Sequence, residues 1–270
     1  MVQSWLPGAT LVADRGWGQI DTQVLHLRTG AEEVIVKAFG PHNHHFEREL
    51  TAYRQWAGPW QSREAAPVLR GADESTRVLM VGHLPGELVQ GHPGEADPDT
   101  YRQAGALLAV LHGQEQHTDA DFNTARIDRA LRWLDSEHRI APATEQRLRE
   151  ALTHHPTEPA TVVPTHGDYH PRNWLIDGGR VVVIDFGRAD LRPAETDLAR
   201  LAVQQFRTDP ALEAAFLDGY GADPRDAAGW RYVLLTEAIG TAVWAYQVGD
   251  EAFEAQGHRM VTEALRRFDD

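Results

Sequence analysis

The feature that most constrains this chain is the run His166-Gly167-Asp168-Tyr169-His170-Pro171-Arg172-Asn173, followed by Val181-Val182-Val183-Ile184 and then Asp185-Phe186-Gly187. An Asp, an Asn five residues later and a second Asp after an apolar strand form a set with a definite chemistry. In phosphoryl transfer one group orients a substrate hydroxyl while hard oxygen ligands hold Mg²⁺. Thr161-Val162-Val163-Pro164 reads as the short buried strand that delivers this loop.

The spacing from Asp168 to Asn173, with Asp-Phe-Gly further on, equals that of the protein-kinase catalytic loop. More specifically, His-Gly-Asp-x-His-x-x-Asn, then Ile184-Asp185-Phe186-Gly187 and Asp197-Leu198-Ala199, resembles the aminoglycoside phosphotransferase family, which also holds choline-kinase-like and homoserine-kinase-like enzymes. The motifs cover roughly residues 10 to 200. The resemblance implies an α+β, bilobal protein-kinase-like fold. Residues 1–82 form its small β-rich nucleotide-binding lobe, and residues 83–270 its larger, mainly helical lobe with the catalytic loop and acceptor site. It further implies ATP or GTP as donor, Mg²⁺ as cofactor and a small-molecule hydroxyl as acceptor. An antibiotic, aminoglycoside-like or otherwise cationic and hydroxylated, is the favoured acceptor, and an amino-alcohol, amino acid or sugar is the second choice. A kinase-like protein that binds nucleotide without turnover is the reading of another class; a degenerate binder has no need of the base.

Roles follow residue by residue. Asp168 is placed to take the hydroxyl proton, and Asn173 and Asp185 to hold Mg²⁺. Lys37 ends the apolar strand Val34-Ile35-Val36, an unusual place for a flexible cation unless its head meets an anion. In the kinase arrangement such a lysine contacts the α- and β-phosphates and pairs with a helical glutamate. That partner is Glu49, with Glu47 as the fallback. Gly16 and Gly18 lie in the connection Arg15-Gly16-Trp17-Gly18-Gln19, where backbone N–H groups can approach phosphates, although a plain hairpin turn is the competing reading. Met80, Val81 and His83, at the connector between lobes, are expected to offer main-chain groups to the base. His166, His170 and Asp197 are expected to support the loop. Gly, Tyr and Pro around the two histidines disfavour a zinc site on one helix, and His42, His44 and His45 lack the spacing of a metal site.

A eukaryotic-type protein kinase fits less well. Only eleven residues separate Asp185 from Asp197, too few for a long activation segment, and His-Gly-Asp replaces His-Arg-Asp. A small acceptor is therefore the better expectation. Its ligands are sought at Asp190, Glu237, Trp244 and Asp250, with Glu237 singled out, as a carboxylate within the apolar stripe of a helix over 227–248, for either a substrate amine or an internal partner.

Three antiparallel strands are predicted over 9–39 and another pair at 67–69 and 78–81, with a helix through Phe46, Leu50 and Tyr53 between them. Asp97-Pro98, Asp209-Pro210 and Asp223-Pro224 each read as an N-cap followed by proline at the first helical position. Two amphipathic helices are predicted over 124–155.

A net charge of −14 argues against nucleic acid or an anionic membrane as partner and suits a cationic substrate. Without cysteine there is no disulfide and no thiol chemistry. Met1 to Thr10 lack the pattern of a signal peptide, so a cytoplasmic location is expected, with no obligate protein partner evident.

Overall fold

Period-two alternation builds the first part of the chain. The computed structural model describes residues 5–16 and 21–269. In it the strands β1 (Thr10–Asp14), β2 (Thr22–Thr29), β3 (Glu32–Phe39), β4 (Leu69–Asp73) and β5 (Val78–Gly82) form an antiparallel sheet in the order β1-β2-β3-β5-β4. Successive side chains point to opposite faces. One face therefore buries Leu27, Val34, Val36, Val78 and Met80 with Leu6, and Trp5 packs against them. The other carries Ile35, Lys37 and Phe39, and there Phe39 and Leu79 pack on Phe46 and Leu50 of helix α1 (His45–Gln55). The three- and four-residue spacing of Phe46, Glu49, Leu50 and Tyr53 puts all four on the buried side of α1.

Two compact units are distinguished. The first comprises Met1–Gln114, Pro164–Asp190 and Asp209–Ala222. Besides the sheet and α1 it holds α2 (Pro98–His112) and α3 (Pro210–Tyr220), whose predicted caps are present: Asp97 accepts from Asp99 N and Asp209 from Ala211 N. The two helices approach so closely that a Cβ on Gly105 would lie 2.1 Å from Phe216 O, a distance only glycine tolerates. His112 Nδ1 and Tyr220 Oη are 2.8 Å apart across the same contact. Trp174–Asp177 pairs with Arg180–Val183 on one side and Glu87–Leu88 on the other.

Aromatic packing ties this unit together. Phe186 is buried against Tyr53, Trp60 and His166 at centroid distances of 5.1, 5.6 and 5.3 Å. Trp60 and Tyr169 satisfy their polar ends on Leu107 O and Ala104 O of α2, each at 2.7 Å. Large rings buried with their polar ends bonded make a rigid floor.

The second unit comprises Glu115–Val163, Leu191–Thr208 and Asp223–Asp270. Its long helices are Phe122–Leu134, Pro142–Thr153, Ala227–Val248 and Glu251–Leu265, in agreement with the predicted helical pair and the predicted 227–248 helix. Asp223-Pro224 does not start a helix. The chain turns helical at Ala227, capped by Asp226, whose carboxylate accepts from Gly229 N, while Asp223 accepts from the main chain and side chain of Arg225. An Asp-Pro pair leaves a turn as well satisfied as a cap, and here the Arg225 fork favours the turn. Among the described residues no helix is long and apolar enough to cross a membrane.

Candidate active site

Lys37 reaches from β3 to Glu49 on α1, because its strand face is the one the helix covers. Its Nζ lies 2.7 and 3.0 Å from the two Glu49 oxygens and 3.0 Å from Asp185 Oδ1. Glu49 is 1% exposed. Burial works against the Lys37 ammonium, and the carboxylates of Asp185 and Glu49 outweigh it, so the lysine is held protonated. Lys37 in turn holds the Asp185 carboxyl below its usual range, while the nearby Asp168 charge opposes. For Glu49 burial dominates and pushes the carboxyl up to about 7 against the pull of Lys37.

That value sets two opposite pH trends. The folded-state value exceeds the ordinary 4.5, so the stability Glu49 contributes is full below about 4.5 and is lost as pH rises through about 7. Ion pairing runs the other way, since Lys37 loses an ionised partner as pH falls below about 7. Nucleotide affinity should weaken from pH 8 to pH 6 more steeply in the native chain than in Glu49→Gln, as titration calorimetry at both values would show.

The His166–Asn173 loop is built around its own main chain. Asp168 N donates to His166 Nδ1 at 3.3 Å, and His166 Nε2 lies 3.1 Å from Ile184 O, which makes this fully buried ring a bridge between the loop and the strand before Asp185. Gly167 precedes Asp168 with φ +78°, a conformation costly to any residue with a Cβ. Asn173 Nδ2 donates to Asp168 O at 2.8 Å and Asn173 O accepts from Ile184 N at 3.0 Å. Committing its NH₂ to that carbonyl leaves the Asn173 side-chain oxygen as the end that can meet a cation. Asp185 itself has φ +67°. Aspartate is among the few residues that accept this conformation, and Phe186 and the Lys37 ion pair hold it there. Oxygen donors from Asn173 and Asp185 beside a carboxylate suit a hard divalent ion.

The remaining predicted residues are placed as follows. His170 Nε2 lies 3.4 Å from Asp168 Oδ1, on the carboxylate it was expected to support. Gly16 N donates to Asp14 Oδ1 at 2.8 Å, and Gly18 lies outside the described residues. Met80 and Val81 require correction. They sit in β5 between β3 and β4, so both flanks of their main chain face paired strands, and the Met80 side chain points away from the Lys37 face. His83 N likewise donates to Glu33 O at 3.0 Å. Asp190 pairs with Arg48 at 3.3 Å, and its carbonyl accepts from Thr165 Oγ1.

In the second unit, Asp197 is buried in the turn Ala194–Leu198. Glu237 does not lie unpaired in an apolar stripe: it is partly exposed and lies 3.7 Å from Arg200 Nε, an internal partner. Trp244 is 41% exposed and stacks edge-on with Phe253, while Asp250 caps the last long helix by accepting from Phe253 N.

Arg77 had no signal in the sequence. It has φ +56°, donates to Gly40 O at 3.0 Å, to Asn43 O and to Glu47, and lies over the Phe46 ring. It fixes the loop from which α1 emerges, so Glu47 serves Arg77 while Glu49 serves Lys37.

The sequence matches the model of the phosphotransferase enzyme family over residues 14–231, which include Lys37, Glu49, Asp168, Asn173 and Asp185. The chain belongs to this phosphotransferase family. No curated protein matches it. Among solved structures, this phosphotransferase is similar to a thermostable mutant of aminoglycoside phosphotransferase APH(4)-Ia in complex with ADP and hygromycin B, at 14% identity and a TM-score of 0.73, over 98% of this chain and 97% of that one. It is also similar to macrolide 2'-phosphotransferase MphH from Brachybacterium faecium, at 20% identity and a TM-score of 0.63, over 95% and 93% of the two chains. For choline kinase LicA from Streptococcus pneumoniae the values are 13%, 0.68, 98% and 96%. At these identities the likeness establishes the kinase-like α+β fold, in which the sheet lobe and the helical part correspond to the architecture predicted.

Proposed function

We propose that this phosphotransferase moves the γ-phosphate of ATP or GTP to a hydroxyl of a small molecule, with Mg²⁺ held by Asn173 and Asp185 and Asp168 as the base. The observation that carries the reading is the convergence of Lys37, Glu49, Asp185 and Asp168: four charged side chains from one strand, one helix and two loops. Lys37 is placed for the α- and β-phosphates, and Mg²⁺ would neutralise charge developing on the transferred group. Asp168 accepts the hydrogen bond of the acceptor hydroxyl, orients it in line and takes its proton. Main-chain recognition of the base falls to the connector beyond His83, since Met80 and Val81 are committed to the sheet.

The acceptor we favour is an antibiotic that is cationic or rich in hydroxyls. Its support is the net charge of −14 together with a fold shared with enzymes whose names specify aminoglycoside and macrolide acceptors. A metabolic amino-alcohol is the second choice, favoured by the likeness to choline kinase. The chain acts in the cytoplasm, where ATP is available. Nucleotide consumption in the presence of Mg²⁺, measured with aminoglycosides, macrolides, choline, homoserine and sugars, tests the proposal. Phosphorylated antibiotic supports it; product from choline alone moves the assignment to the metabolic reading, and tight nucleotide binding without product from any acceptor removes the catalytic one.

A further inference from the structure

Away from the phosphate-binding end of β3, three ligating side chains from three segments meet on the same sheet face. His26 of β2 stands opposite Ile35, and Glu33 lies two residues before Ile35 on β3, so both share the face of Lys37. His83 follows β5, and its amide donates to Glu33 O. His26 Nε2 is 2.8 Å and His83 Nδ1 3.6 Å from the same oxygen, Glu33 Oε2, and one ligand atom from each residue lies within 4.8 Å of the others. Arg28 takes the other oxygen with two donors, Nε at 2.8 Å and Nη2 at 2.6 Å. The carboxylate is therefore oriented from behind and presents one oxygen to both imidazoles.

We propose that His26, Glu33 and His83 form a binding site for a borderline divalent transition-metal ion of the Zn²⁺ class, separate from the Mg²⁺ of phosphoryl transfer. Two imidazoles and a carboxylate are a His₂Glu donor set, which binds Zn²⁺ with a fourth position left for water or another ligand. Ligands about 2.0–2.2 Å from a tetrahedral ion stand roughly 3.4 Å from one another, close to the separations the carboxylate already makes with both rings. Nitrogen donors select this class over Mg²⁺, which prefers oxygen and keeps its waters. Arg28 is the outer partner that fixes the ligating carboxylate. At about 3.3 Å per residue, the four residues from Glu33 to Lys37 put the site roughly 13 Å along β3 from the lysine.

One rearrangement is required. The two rings stack with centroids 4.1 Å apart and planes 7° from parallel, whereas an ion must lie near the plane of each imidazole it binds. His26 is 6% exposed and confined, while His83, at 27%, has room to turn.

The test uses the full chain without nucleotide, titrated with Zn²⁺ against a chelating competitor, and with Co²⁺ for its visible spectrum. One equivalent should bind, with a Co²⁺ spectrum of four-coordinate intensity and a raised melting temperature, while Mg²⁺ at the same concentration changes none of these. Arg28→Ala should weaken Zn²⁺ binding by about 10- to 100-fold. His83→Ala and Glu33→Gln should weaken it further, and His83→Gln serves if the alanine variant is unstable. The chain has 14 histidines, so binding at another cluster is the concrete alternative. Unchanged affinity in both His83 variants, or loss in His42→Ala and His44→Ala instead, overturns the site, as does a native chain that takes up no Zn²⁺. Because the readouts are metal affinity, spectrum and melting, failure here leaves the phosphotransfer proposal standing.

Discussion

Asp168→Asn should lower phosphate transfer by about 10²- to 10⁴-fold while leaving nucleotide affinity and melting temperature near native, because the substitution removes a proton acceptor and little else. The loop is held by groups that survive the change: Asp168 N on His166 and Asp168 O under Asn173 are main-chain contacts. His170 is the rival base, since its Nε2 lies 3.4 Å from Asp168 Oδ1. If the imidazole takes the proton, His170→Gln should cost more than Asp168→Asn. We expect the reverse order, because His170 is buried and bears on the carboxylate. Asp185→Asn should differ in kind: it weakens a ligand for Mg²⁺, so part of its loss should be recovered by raising the Mg²⁺ concentration. Steady-state rates for the three variants across a Mg²⁺ series distinguish a base, a support and a metal ligand.

The proposed catalytic set could be picked out because each member has a fixed position relative to a neighbour. Asp168, Asn173 and Asp185 are tied by spacing and by the strand between them, and Lys37 announces itself as a cation ending an apolar run. The sheet and α1 were legible for the same reason, through periods of two and of three to four. What remained hidden depends on contacts between segments distant in sequence. Arg77 looks like any strand-edge arginine until Gly40, Asn43 and Glu47 surround it. His26, Glu33 and His83 are separated by 7 and 50 positions, and only the register of β2, β3 and β5 brings them together.

The errors have equally local causes. Met80 and Val81 were chosen from their place before a lobe connector, but a strand with neighbours on both sides has no free main-chain edge. Glu237 stood out as a carboxylate in an apolar stripe, in need of a substrate amine or an internal partner, and it is the internal partner that is present. The period of a helix cannot show that Arg200, arriving from another segment, would sit beside it. Asp250 and Asp223 look alike as acids before a helical run, and only the geometry of Phe253 and Arg225 makes one a cap and the other a turn.

The Lys37–Glu49 pair offers a second large effect, on stability as well as on catalysis. Lys37→Met should unfold more easily by about 3–5 kcal/mol at pH 8, because it strands a carboxylate in a site that excludes water. Glu49 is 1% exposed, so no solvent replaces the ammonium. The same variant at pH 6 should lose less, since without Lys37 burial alone pushes the Glu49 carboxyl up and it can escape the penalty by taking a proton. Replacing both, Lys37→Met with Glu49→Leu, removes the pair without leaving a buried charge and should recover most of the lost stability. Transfer should not return, because the nucleotide's phosphates still lack the lysine. Chemical denaturation of the two single variants and the double variant at both pH values gives the coupling energy directly. Recovered stability with recovered activity would mean that Lys37 serves the fold alone; recovered stability without activity places it on the phosphates.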